Sequence, residues 1–113
     1  MLVMSSDRYQ KLVRQLDRLC ETLDEARSPL VPEVTRLQGW FQTEILGTDF
    51  ADLDSRSQSY TTEIHKQLRL LATDAAFLQS ARQETTQAQR RAQIRDRLST
   101  MRRYCNVILG KDE

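Results

Sequence analysis

An all-α fold, a four-helix up-down antiparallel bundle with a short second helix, is what this 113-residue sequence predicts, and three observations predict it. Only 3 Gly and 2 Pro interrupt a chain rich in Leu, Arg, Gln and Ala, a composition that disfavours turn-rich and all-β architectures. Apolar residues recur at spacings of three and four in four separate stretches, so each stretch lays one stripe along a helix. The connections are roughly 4 to 8 residues long, which places consecutive helices side by side and antiparallel. The chain reads as one domain, residues 1–113, with no internal repeat. At this length about two thirds of the unfolded surface can be buried, so a core forms without disulfide or metal.

The first helix, about 6–27, carries Tyr9, Leu12, Leu16, Leu19, Leu23 and Ala26, with Ser5 or Ser6 as its cap. Pro29 and Pro32 end it near Arg27 by biasing Ser28 and Val31 away from α geometry. The second, about 33–46, starts at Pro32 or Glu33, turns Val34, Leu37, Phe41 and Ile45 inward and stops at Gly47. It spans roughly 20 Å against roughly 35 to 40 Å for the later helices, so Phe50 and Leu53 of the following loop are expected to fill the gap. Asp54 or Ser55 caps the third, about 55–81, whose core face is Tyr60, Ile64, Leu68, Leu71, Ala75 and Leu78. Glu84 to Thr86 cap the fourth, about 86–109, which carries Ile94, Leu98, Met101, Cys105 and Ile108 and ends at Gly110.

Charge is distributed unevenly along the chain. Residues 1–54 hold 6 basic and 10 acidic side chains and residues 55–113 hold 11 and 6, so the halves attract within an overall +1. No stretch approaches the roughly 18 apolar residues of a membrane span, and Met1 to Ser6 lack the basic start of a secretory signal. The expected compartment is therefore the cytoplasm, with Cys20 and Cys105 as free thiols too far apart along an antiparallel pair to join.

The residues leave little for catalysis, cofactor or metal. A di-iron bundle needs Glu-x-x-His, but His65, the single histidine, has Thr62 three positions before it and Glu63 only two. It reads as a boundary side chain. Asp49, Asp52 and Asp54 lack the Gly and Glu of a calcium loop and read as capping and solubilising residues. The chain is expected not to be an enzyme.

Binding surfaces are better represented. On the fourth helix Arg91, Arg95 and Arg102 fall within about 40° on one flank, Arg90 and Arg97 on the other, and Arg103 at the back. Such arginines commonly pair with acids on neighbouring helices, and without a helix-turn-helix signature a nucleic-acid-associated regulator is the second reading. Asp17, Glu21 and Glu25 recur every four residues on the first helix, joined by Asp24, where like charges repel one another and oppose the helix dipole. That arrangement suits a basic partner. Trp40, Leu70 and Phe77 lie off the tightest stripes and read first as a widened core, second as an exposed patch.

The segment Gln58 to Ala81 (QSYTTEIHKQLRLLATDAAFLQSA), with Arg82-Gln83, Asp96-Arg97-Leu98 and Arg103-Tyr104-Cys105-Asn106-Val107-Ile108-Leu109, resembles the cyanobacterial PatD family of heterocyst frequency control proteins. The resemblance covers about half the chain and, loosely, the opening Tyr9-Gln10-Lys11-Leu12. It implies a non-enzymatic regulator that limits heterocyst differentiation and is linked to cell division through the tubulin-like protein FtsZ. PatD-like sequences also occur in cyanobacteria without heterocysts, which makes the division link the more general role. The expectation is thus a cytoplasmic adaptor that binds a protein, with Arg91, Arg95 and Arg102 as the contact flank, Asp17, Glu21, Asp24 and Glu25 as the alternative, and self-association left open.

Overall fold

In the computed structural model, which describes residues 5–25, 29–48 and 50–111 and all their side chains except those of Ser5 and Ser6, four helices follow one another. They are α1 (Ser5–Leu23), α2 (Leu30–Phe41), α3 (Ser55–Ser80) and α4 (Glu84–Ile108), and no strand occurs among the described residues. Each packs on its chain neighbours, and α1 closes the ring against α4 in a body of 50 × 27 × 19 Å. The expected all-α bundle with a short second helix is the observed architecture.

The stripe of α1 is buried along its described length, Tyr9, Leu12, Leu16, Leu19 and Leu23 being at most 4% exposed. The helix stops at Leu23, four residues before the expected Arg27. Its last turn tightens, Asp24 N–H donating to the Glu21 carbonyl at 3.2 Å and Glu25 N–H to that of Thr22 at 3.0 Å. Glu21, Asp24 and Glu25 oppose the dipole there, which favours an early end. The expected Ser5 or Ser6 cap and the positions of Ala26, Arg27 and Ser28 lie outside the described residues or side chains.

The start of α2 also differs from expectation. Pro29, at φ −74° and ψ 117°, is its N-cap residue, and Pro32 sits inside the first turn, where its missing N–H leaves no bond unmade. Val31 is helical, and Leu30 joins Val34, Leu37 and Phe41 in the core. After Phe41 the backbone widens into a π-helix, Gln42–Leu46, that keeps Ile45 buried, a feature absent from the sequence reading. Gly47 closes it tightly, for a Cβ there would meet the Thr43 carbonyl oxygen at 2.7 Å. Thr48 Oγ1 donates to that same oxygen at 3.2 Å.

A 3-10 turn, Phe50–Asp52, leads into α3, and Gln58 Nε2 lies 3.1–3.2 Å from the carbonyl oxygens of Phe50, Ala51 and Leu53, fastening the loop. Leu53 packs against the core and Phe50 is half-buried; Asp49 lies outside the described residues. Asp54 caps α3 by accepting from Ser57 N–H at 2.9 Å, and hydrogen bonding to the side chain and then the backbone of Ser57 holds its carboxyl below the usual range. The fourth helix starts at Glu84, two residues early, where Gln87 Nε2 donates to the Ala81 carbonyl at 2.9 Å. It ends in a Schellman motif: Gly110 at φ +76°, its N–H bonded to the Val107 carbonyl and the Lys111 N–H to that of Asn106.

Ile64, Leu68, Leu71 and Ala75 of α3 face Ile94, Leu98, Met101 and Cys105 of α4, all at most 1% exposed. Tyr60, Leu78 and Ile108, expected on the core stripe, are only half-buried at its margin. The stripe is rotated slightly, so Thr61 enters the interior instead and shares a 2.6 Å hydrogen bond with Tyr9 Oη.

Candidate functional site

Four of the seven charged residues singled out in the sequence, Asp17, Asp24, Arg95 and Arg102, form a single seam. Helices α1 and α4 run antiparallel, and Arg102 NH1 donates to Asp17 Oδ1 at 2.7 Å while Arg95 pairs with Asp24 one heptad further along. Asp17 holds the Arg102 guanidinium above its ordinary pKa. These side chains remain 45–65% exposed, so each pair is a solvated contact that contributes little stability. Cys20 lies half-buried between the rungs, its pKa raised by burial and by the Asp17 carboxylate.

The other members of the two sets lie around this seam. Glu21 and Glu25 are exposed on the outer side of α1. Arg91 is half-buried at the end of the bundle, where it lines a cleft of about 600 Å³ together with Glu25, Leu23, Leu30, Ala75 and Leu78.

Arg97 faces the opposite way. Its Nε donates to Asp74 Oδ2 at 2.6 Å and its NH1 to Gln67 Oε1 at 2.8 Å, almost out of water on the α3–α4 interface. Sequence reasoning missed Asp74 as a buried residue. The signal was present: Gln67 and Asp74 are one heptad apart beside the Leu68, Leu71, Ala75 stripe, with Arg97 one helix away. Among the described residues no buried side-chain polar atom lacks a partner.

The three aromatic or aliphatic residues off the main stripes separate. Trp40 packs against the core, as a widened core requires. Leu70 and Phe77 do not, remaining 40% and 49% exposed on the outer side of α3, which corrects their reading as core. The Arg90 guanidinium lies over the Phe77 ring, 4.7 Å from its centroid. His65 stacks on Phe41 at 5.7 Å, a boundary packing role.

A second cleft of about 600 Å³ lies between the start of α1 and the π-helix, lined by Arg8, Lys11, Arg14, Trp40 and Glu44, with Arg8 Nε 3.9 Å from Glu44 Oε1. Its lining mixes cations and acids, and that mixture selects no ligand charge. Among the described residues no three His, Cys, Asp or Glu side chains gather as metal ligands, and no helix is long and apolar enough to cross a membrane. Comparison of the chain with family models, curated proteins and solved structures returned no match.

Proposed function

We propose that this protein is a non-enzymatic cytoplasmic regulator or adaptor that acts by binding a protein partner. The resemblance to the PatD family makes FtsZ that partner and control of heterocyst frequency or cell division the process. The observation that supports the reading is where the side chains are spent. Arg95, Arg97 and Arg102 are engaged with acids of their own chain, while Leu70 and Phe77 are left in water. Polar groups organised for structure beside an uncovered apolar surface suit recognition of a protein better than chemistry on a small substrate.

The same pairs weigh against a nucleic-acid role for Arg95, Arg97 and Arg102, because each would have to part from its carboxylate before it met a phosphate. An acidic protein approaching Arg95 and Arg102 must likewise displace Asp24 and Asp17. Co-sedimentation with polymerised FtsZ and mobility shift of duplex DNA, each at low and high salt, test the reading. FtsZ binding without a DNA shift is expected. A DNA shift that weakens steeply with salt, in the absence of FtsZ binding, would overturn it.

A further inference from the structure

Helix α3 carries two stripes. The first, Thr61, Ile64, Leu68, Leu71 and Ala75, is buried in the bundle. The second is Lys66, Leu70, Thr73 and Phe77, spaced four, three and four apart, and all four are exposed. At 100° per residue these positions fall within about 60° of one another, the spacing by which one helix packs along another. Leu70 and Phe77 stand one heptad apart with the shorter Thr73 between them, so they bracket a shallow hole rather than a ridge. Large apolar groups on either side of a shorter one are what a partner helix needs to seat a knob. Thr73 lines that hole with a methyl group and a hydroxyl, and its branched Cβ restricts the rotamers that a partner would have to freeze.

Charge along this stripe is mainly positive, with Glu63 one heptad before Leu70 and Glu84 beyond Phe77 as its exposed acids. Between Lys66 and Arg90 the exposed or half-exposed ionised side chains are Lys66, Arg69, Arg82, Glu84 and Arg90, while Asp74 is buried on Arg97. Glu63, the nearest exposed acid on α3, lies one turn before the stripe begins. Arg90 already shields one face of Phe77. A second copy of this chain pairing through the stripe would bring like cations together. An anionic membrane would meet two large side chains separated by a hydroxyl-bearing threonine, whereas interfacial helices bury a continuous apolar face.

We propose that the Leu70–Thr73–Phe77 stripe, with Lys66, Arg69 and Arg90 beside it, is a docking site for an amphipathic helix of a protein partner whose apolar stripe is flanked by Asp or Glu. The proposal rests on the adaptor reading for its biological partner and on exposure, spacing and charge for the site itself.

The test uses the full chain and the variants Leu70→Ser with Phe77→Ser, and Arg90→Glu. Circular dichroism of both should keep the full helical signal and a cooperative melt, lowered modestly in the double variant because Ser is a weaker helix former than Leu, since the replaced side chains lie outside the core. Interferometry then measures binding to FtsZ, to a synthetic helical peptide with a leucine heptad stripe flanked by Glu, and to the same peptide flanked by Lys. Wild type is expected to prefer the Glu peptide by about tenfold or more, and both variants to lose about tenfold for that peptide and for FtsZ. Equal binding of the two peptides, no peptide binding, or undiminished binding by the double variant would overturn the docking site. FtsZ binding that survives in the variants would overturn the site and leave the adaptor reading standing. Peptide binding that obeys the prediction while wild type ignores FtsZ would do the reverse. Two further outcomes also overturn it: vesicles of anionic lipid captured in place of the Glu peptide, and a doubling of mass in light scattering that the double variant abolishes.

Discussion

Arg97 Nε donates to Asp74 Oδ2 across 2.6 Å, and the two side chains keep only 13% and 9% of their surface in water. Two opposite charges removed from solvent are tolerable because each is the other's partner and because Gln67 accepts a further N–H from the same guanidinium. The contact joins α3 to α4 and fixes their relative register, since neither charge has an equivalent partner one turn away on the facing helix.

Asp74→Ala therefore leaves a nearly buried guanidinium short of its counter-charge and should destabilise by roughly 3 kcal/mol. Replacing both residues, Asp74→Leu with Arg97→Met, should recover most of that loss, because an apolar pair of similar volume owes no desolvation. Urea denaturation of Asp74→Ala measures the first, and a cycle over wild type, Asp74→Leu, Arg97→Met and the double variant measures the second. A double variant that loses the sum of what the two single variants lose would mean that the pair contributes no coupling.

Core cavities provide the reference scale. Leu68→Ala or Leu71→Ala, each removing a side chain at most 1% exposed, should cost about 2 to 5 kcal/mol, against less than about 1 kcal/mol for Arg95→Ala on the exposed seam. Chemical denaturation that ranked these the other way would place α3 in the wrong register.

The three glycines should respond with different signs. Gly39→Ala, exposed in α2 with nothing within 4 Å of a new Cβ, should stabilise by about 0.5 to 1 kcal/mol. Gly110→Ala forces an L-residue to φ +76° and should cost about 1 to 2 kcal/mol. Gly47→Ala should also destabilise, since its Cβ would meet the Thr43 backbone oxygen at 2.7 Å and neither side of that contact is a flexible side chain. Thermal melts of the three variants check the order.

The contrast between these positions shows what sequence carried and what it did not. Heptad spacing of consistently apolar residues was enough to place Leu12, Leu68, Leu98 and their neighbours in the core, whereas Leu70 and Phe77, at the same period but with Lys66 before them and Thr73 between them, stay exposed. Asp54 and Gly110 were legible because capping and left-handed geometry are local chemistry. The π-helix at Gln42–Leu46 was not, since widening of a turn depends on how α2 meets its neighbours and leaves no residue signature. Pro32 misled by its identity, for a proline in a first turn begins a helix as readily as one outside it ends one. The arginines of α4 were assigned to the correct flanks by angle, yet only the packed helices revealed that Arg95 and Arg102 meet Asp24 and Asp17. A pairing between residues 71 and 85 positions apart is a tertiary fact.

Stability should fall at alkaline pH. Burial raises the Cys105 thiol to about 12, whereas in the unfolded chain a cysteine ionises near about 8.5. Between those values the unfolded chain has released a proton that the folded chain retains. This contribution is therefore complete below about pH 8.5 and declines by up to about 1.4 kcal/mol per unit as pH rises toward about 12. Tyr9, raised chiefly by burial, acts in the same direction at higher pH. Unfolding free energies from urea titrations at about pH 8 and about pH 10.5 should differ by about 2 kcal/mol more in wild type than in Cys105→Val, which fills the site without a titrating group. Equal slopes would mean that the thiol ionises in the folded protein as freely as in water.

Asp17 and Asp24 stand seven residues apart on α1, and Arg102 and Arg95 stand seven apart on α4 in the opposite direction, so the seam is a two-rung ladder in antiparallel register. With every side chain about half exposed, each rung contributes roughly 0.2 to 1 kcal/mol and weakens with salt. Arg95→Asp with Arg102→Asp should therefore lower the melting temperature, most at low ionic strength, because it sets carboxylates against Asp17 and Asp24. Adding Asp17→Arg and Asp24→Arg should restore it by rebuilding both rungs with their polarity exchanged. That fourfold exchange also separates the two surfaces as binding sites: it inverts the seam in place, keeps the net charge and leaves Leu70, Phe77 and Arg90 untouched. A partner docked along α3 should bind the exchanged protein as it binds wild type in co-sedimentation, whereas a partner that reads the seam should be lost even though the melting temperature has returned.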